Sequence, residues 1–105
     1  MKIISKTIGS NLTIELHGEL DHHAARNAIL KIGQTIDAQL PEKTILSLSH
    51  LSFMDSSGIA VIINIYRRMQ ELDGAFEISD ISPQAQKIFL AAGLNKVIKI
   101  KEMQI

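Results

Sequence analysis

The stretch Leu51-Ser52-Phe53-Met54-Asp55-Ser56-Ser57-Gly58-Ile59-Ala60-Val61-Ile62-Ile63 decides how the rest of the chain is read. An apolar approach reaches a polar Asp-Ser-Ser-Gly step and then turns apolar again for more than a helical turn. Asp and Ser are favoured ahead of helices because their side-chain oxygens accept hydrogen bonds from first-turn N–H groups that have no partner inside the helix. The step therefore predicts a helix from about Ser56, with that serine at the positive end of the helix dipole, where a phosphoryl group is tolerated. Gly58 permits close approach, and a side chain there is expected to project toward the serine and whatever meets it.

Working outward, the helix is almost wholly apolar through Ile65 and becomes polar on one side at Arg67, Arg68, Gln70 and Glu71, reaching Leu72 before Asp73-Gly74 ends it. Its isoleucines and Val61 are mediocre helix formers, so packing against a sheet has to hold it. Upstream, Thr44 to Leu48 is a short strand whose Ile45, Leu46 and Leu48 suit a buried central position. Before it, Ala25, Ala28, Ile29, Ile32 and Ile36 recur at helical spacing, giving an amphipathic helix capped near Asp21 and closed by Leu40-Pro41-Glu42-Lys43. The segment Gly18 to His23 between this helix and the amino-terminal strands is polar and without period. Ile3 to Ile8 and Leu12 to Leu16 form an antiparallel hairpin about the turn residues Gly9-Ser10-Asn11.

Downstream, Ala75 to Ile81 is a strand. Ser82-Pro83 then starts a third helix, with Ala85, Ile88, Phe89 and Ala92 on one face and Gly93-Leu94 at its end. Val97 to Lys101 is the last strand. The order hairpin, helix, strand, helix, strand, helix, strand argues an α/β domain: a mixed sheet with an antiparallel hairpin, parallel crossovers and helices packed on it. At 105 residues and 46% hydrophobic content the chain fits one domain, residues 1–105, with no linker or repeat.

Eleven basic residues balance eleven acidic ones, which removes the electrostatic footprint of nucleic-acid or anionic-membrane binding. Partners are expected to be proteins or small molecules. With no cysteine there is no disulfide, thiolate nucleophile or zinc-thiolate site. The longest apolar run, Ile59 to Ile63, falls far short of the roughly 20 residues that span a bilayer. The first ten residues lack the apolar stretch of a signal peptide, so a cytoplasmic protein is expected.

As a serine hydrolase the motif fails, because a nucleophile elbow needs glycine two before and two after the serine. Ser56 has Met54 and Gly58 there, Ser57 has Asp55 and Ile59. His22 and His23 are adjacent, and neighbouring side chains diverge by about 100° on a helix or to opposite faces on a strand, so the pair is a poor chelate. One is expected to pack near the helix start and the other to be solvated. There is no glycine-rich phosphate cradle, so in ATP chemistry the chain would be a substrate. No cofactor and no metal are expected.

Gly18-Glu19-Leu20-Asp21-His22-His23 and Leu51 to Gly58, together with Ile81-Ser82-Pro83 and Phe89 to Leu94, resemble the signature segments of anti-sigma-factor antagonists of the STAS fold. The first segment is most similar to the sporulation anti-sigma F branch, with stress-response antagonists as neighbours. The resemblance implies a non-enzymatic module that binds an anti-sigma factor and frees the sigma factor. That anti-sigma factor is also a serine-protein kinase, which switches the module off by phosphorylating the serine after the aspartate, Ser56; a serine phosphatase reverses it. Asp21, His22, Asp55, Ser57, Gly58 and Ile59 would shape the contact. The alternative is a nucleotide- or anion-sensing STAS module using the helix ends at Asp21 and Ser56. Family members commonly carry a further helix after the last strand, where this sequence has Glu102 to Ile105.

A phosphate on Ser56 adds about 1.5 to 2 negative charges, which a helix N-terminus accepts without unfolding. Against an acidic partner face, each unit pair at about 5 Å repels by about 3 kcal/mol at an effective dielectric of 20. Ser57, one step into the helix, is expected to be the structural hydroxyl, bonded to nearby backbone.

Overall fold

The computed structural model describes residues 1–101. Strand β1 (Lys2–Ile8) turns back through Gly9-Ser10 into β2 (Asn11–Leu20), pairing antiparallel from Ile8 opposite Asn11 to Lys2 opposite His17. Gly9 takes φ +60°, a conformation a hairpin turn needs and glycine adopts without strain. β2 is longer than the alternation of Leu12, Ile14 and Leu16 suggests, because Gly18-Glu19-Leu20 continues it instead of forming an irregular segment.

Helix α1 (His22–Gln39) follows, then β3 (Lys43–Ser47), β4 (Leu51–Met54), α2 (Ser57–Glu71), β5 (Ala75–Ser79), α3 (Pro83–Ala91), a single 3₁₀ turn at Leu94–Lys96, and β6 (Lys99–Lys101). The last strand is shorter than expected because this turn takes up the residues before it. The segment Glu102 to Ile105, which stands where family members commonly carry a further helix, lies outside the described residues.

The sheet runs β1-β2-β3-β5-β6, with every pair after the hairpin parallel, and β4 joins β2 off this path. β4 is the element that sequence reading missed. Leu51 and Met54 are buried while Ser52 and Phe53 between them are exposed, a three-residue spacing that lacks the two-residue alternation of a strand.

One face of the sheet supplies Leu12, Ile14, Leu16, Leu46, Leu48 and Ile78 to a core completed by Ala28, Ile32 and Ile36 of α1, Val61, Ile62, Ile65 and Met69 of α2, and Ala85 and Phe89 of α3. The alternate residues of β2 and its neighbours form the other face, where Lys6 pairs with Glu15 at 3.4 Å and Lys43 with Glu77 at 3.2 Å. The two long helices are clasped by Arg68 of α2, whose guanidinium donates to both carboxylate oxygens of Asp37 on α1 at 2.9 and 2.8 Å. Gly33 makes room for that reach, since a Cβ there would stand 2.8 Å from the guanidinium carbon.

Burial sorts the isoleucines of α2. Ile62 is fully buried and Ile63 only half-buried. Ile62→Ala is expected to cost about 2 to 5 kcal/mol in denaturant melts and Ile63→Ala clearly less; equal losses would mean that both face the core alike.

Gly58 also turns inward. A Cβ there would collide with the Met54 side chain, 2.7 Å from its sulfur, and stand 3.1 Å from Leu20 Cδ2. The expectation that a side chain at 58 projects toward the serine and its partner is therefore corrected: it would enter the core. Gly58→Ala is expected to destabilise by about 1 to 3 kcal/mol, the range for overpacking a tight interior, with Gly58→Val worse. A melting midpoint unchanged in Gly58→Ala would show that Met54 can yield.

Candidate functional site

The site is built where β2 and β4 end together. Gly18 pairs with Leu51, the register slips at a bulge, and Glu19 and Leu20 then pair in parallel with Phe53 and Met54. The amide of Asp55 donates back to the Leu20 carbonyl at 3.4 Å. Because both strands end at this level, Asp21 and Asp55 emerge side by side, each at the head of a helix. α1 and α2 thus present their positive ends to the same surface.

Each aspartate holds its own helix start. Asp21 adopts extended backbone geometry and its Oδ1 accepts from the Ala24 amide at 2.9 Å, so the expected cap at Asp21 is present. That hydrogen bond is the largest influence on its carboxyl and keeps it ionised to lower pH than an ordinary aspartate.

At α2 the labour is divided differently from the sequence expectation. Asp55 Oδ1 accepts from the Ser57 amide at 2.8 Å, and the Asp55 carbonyl accepts from the Gly58 amide at 3.0 Å. Ser56 already has helical backbone angles, φ −62° and ψ −18°, and its hydroxyl makes no capping bond. The carboxylate of Asp55 therefore does the capping, one residue ahead of the assigned boundary. Ser56 is left exposed, while Ser57 is half-buried. The bond that ties Ser57 to the turn comes from its N–H, where one from its hydroxyl was expected.

Of the other expected contact residues, Ile59 is half-buried against the core and Gly58 is buried. His22 and His23 are both exposed and meet edge to face with ring centroids 5.6 Å apart, so neither is packed at the helix start as expected. Met1, Gly18, Glu19, Asp21, His23 and Ser52 line a hollow wide open to solvent beside the start of α1. Two carboxylates on its wall, Glu19 and Asp21, disfavour an anion in this hollow.

Two groupings escaped sequence reading. Gln84, on the first turn of α3, makes two hydrogen bonds to the backbone of Met54, accepting from its N–H at 3.1 Å and donating to its carbonyl at 2.7 Å. No local signal links residues thirty positions apart. The second grouping is Glu15, His17 and His50 at the partner switch of β2, whose ligand-type atoms lie within 4.8 Å of one another. The His17 and His50 rings are stacked, 4.2 Å between centroids and 13° from parallel. A metal ion binds imidazole in the ring plane, and no point lies in two stacked planes at once, so this arrangement is a stack and not a chelate. Glu15 sits 3.0 Å from His17 Nε2, and that hydrogen bond is the first cause of its lowered pKa.

The chain and its fold resemble those of known proteins. The family model for the STAS domain matches residues 2–103. An anti-sigma F factor antagonist of Paenibacillus polymyxa is 32% identical over 94 residues, covering 90% of this chain and 80% of that protein. The anti-sigma factor antagonist SpoIIAA in its unphosphorylated form superposes with TM-score 0.85 at 28% identity, over 98% of this chain and 89% of that one. The phosphorylated form of the Bacillus cell fate determinant SpoIIAA gives 0.77 at 28% identity, over 98% and 92%. With a family model spanning nearly its whole length, this chain belongs to the STAS domain family.

Proposed function

We propose that the chain is an anti-sigma factor antagonist whose unphosphorylated form binds an anti-sigma factor and so releases a sigma factor, and that phosphorylation of Ser56 switches it off. The observation that carries the reading is the state of Ser56: exposed at the head of α2, with a hydroxyl that caps nothing because Asp55 does the capping. A kinase can take that hydroxyl without dismantling the helix start. The relatives support the same reading, since SpoIIAA exists in unphosphorylated and phosphorylated forms and the Paenibacillus protein is an anti-sigma F factor antagonist.

The partner in this reading is an anti-sigma factor with serine-kinase activity, opposed by a serine phosphatase. It meets the surface formed by Asp21, His22, Asp55 and Ser56, with Ser57, Gly58 and Ile59 shaping the turn from beneath. Phosphate on Ser56 would stand close to the carboxylates of Asp55 and Asp21, making an acidic patch where the free protein has an uncharged hydroxyl. Added charge of that sign repels an acidic partner face, and a loss of even 1.4 kcal/mol weakens binding tenfold.

Incubation with ATP and a serine kinase of the anti-sigma factor class, followed by phosphopeptide mapping, tests the reading. One phosphate on Ser56 is expected. Ser56→Ala should take none and still bind the anti-sigma factor, Ser56→Asp should fold but bind at least about tenfold more weakly, and Ser57→Ala should still be phosphorylated. Phosphate on Ser57, or full affinity in Ser56→Asp, would overturn the assignment.

A further inference from the structure

β4 is four residues long and, among the described residues, pairs with a strand only along β2. Its other edge would leave the N–H and C=O of Met54 without a ladder partner, although the Met54 side chain is fully buried. An unpaired backbone group in such a place is costly. Gln84 supplies both missing bonds, at 3.1 and 2.7 Å. A primary amide carries the same acceptor and donor as a peptide group, so this one side chain stands in for a neighbouring strand.

α3 holds Gln84 ready for that task. The Ser82 hydroxyl accepts from the Ala85 amide at 3.2 Å to cap the helix, and Ala85 and Phe89, fully buried, seat it on the core. Against this, the bond that joins the next residue to β2, from the Asp55 amide to the Leu20 carbonyl, is long at 3.4 Å. Both Gln84 bonds to the end of β4 are shorter than that one.

We propose that Gln84 is a positioning residue for Ser56: by clamping Met54 it sets where the Asp55-Ser56 turn begins, and so where the serine hydroxyl is presented. The proposal rests on the reading of Ser56 as the phosphate acceptor. Gln84 does not touch the phosphate; it acts through Met54 and the Asp55 cap.

Two variants of nearly unchanged size separate positioning from bulk stability. Gln84→Met removes both bonds, and Gln84→Glu keeps the acceptor while losing the donor. In the free protein, Gln84→Met is expected to speed hydrogen exchange of the Met54 amide about tenfold or more, with exchange at Ile14 and Ile78 and the far-ultraviolet circular dichroism unchanged. With the anti-sigma factor class kinase and ATP, kcat for Ser56 phosphorylation should fall about tenfold at unchanged KM, since the docking surface is intact while the hydroxyl is displaced. Gln84→Glu should lie between Gln84→Met and the native protein.

A faster Met54 amide with unchanged kcat would show that Gln84 is a stitch without a positioning role, and unchanged exchange would overturn the proposal outright. A parallel rise in KM with the loss of kcat would point to general loosening and equally overturn it. Absence of phosphate on the native protein would defeat the reading of Ser56 and this proposal together; phosphate on the native protein with normal kcat in Gln84→Met defeats this proposal alone.

Discussion

Strand β2 serves two neighbours along one edge. From Asn11 to Glu15 it is bonded to β3, and from Gly18 to Leu20 to β4, with a bulge where the register shifts. The changeover is marked by a bulge between Gly18 and Glu19, and Gly18 takes φ +111°, a conformation that glycine adopts without strain. The remainder of the site depends on this branch. It brings the end of β4 level with the end of β2, so that two helices start next to each other from adjacent strand ends. It also confines β4 to an edge that Gln84 then has to complete.

Two helix N-termini on one surface create a local excess of positive potential, and each is answered by a built-in aspartate. Those carboxylates satisfy first-turn amides, so both helices are stable without any bound anion. A serine placed between a satisfied cap and solvent can gain or lose charge with little consequence for the fold. What changes is the electrostatic character of the face, already edged by Asp21 and Asp55. On the proposed reading, this separation of stability from surface chemistry would suit a module whose output is whether another protein binds.

The core beneath the site is less forgiving than its surface. Gly58 lies against Met54 and Leu20, the last residues of the two strands that frame the site, leaving no volume for a side chain. The residue two positions after the serine is thus a packing element, although its place in the motif invited a role in contact. Its backbone is held by the same Asp55 that caps the helix, so the turn is fixed from below by packing and from its start by one carboxylate.

The sequence by itself determined the three helices, most of the strands, the mixed sheet and the position of the serine at a helix head. Those signals are local: the spacing of Ala28, Ile32 and Ile36, the cap at Asp21, the Ser82-Pro83 start and the Asp55-Ser56 step act within a few residues, where spacing alone carries the information. Tertiary structure decided the rest. The four residues of β4 became a strand because β2 and Gln84 offered partners, the direction in which Gly58 faces was set by Met54 and Leu20, and Glu15, His17 and His50 were gathered by the branch of β2. Each of these depends on groups distant along the chain meeting in space, and neither residue type nor spacing encodes such a meeting.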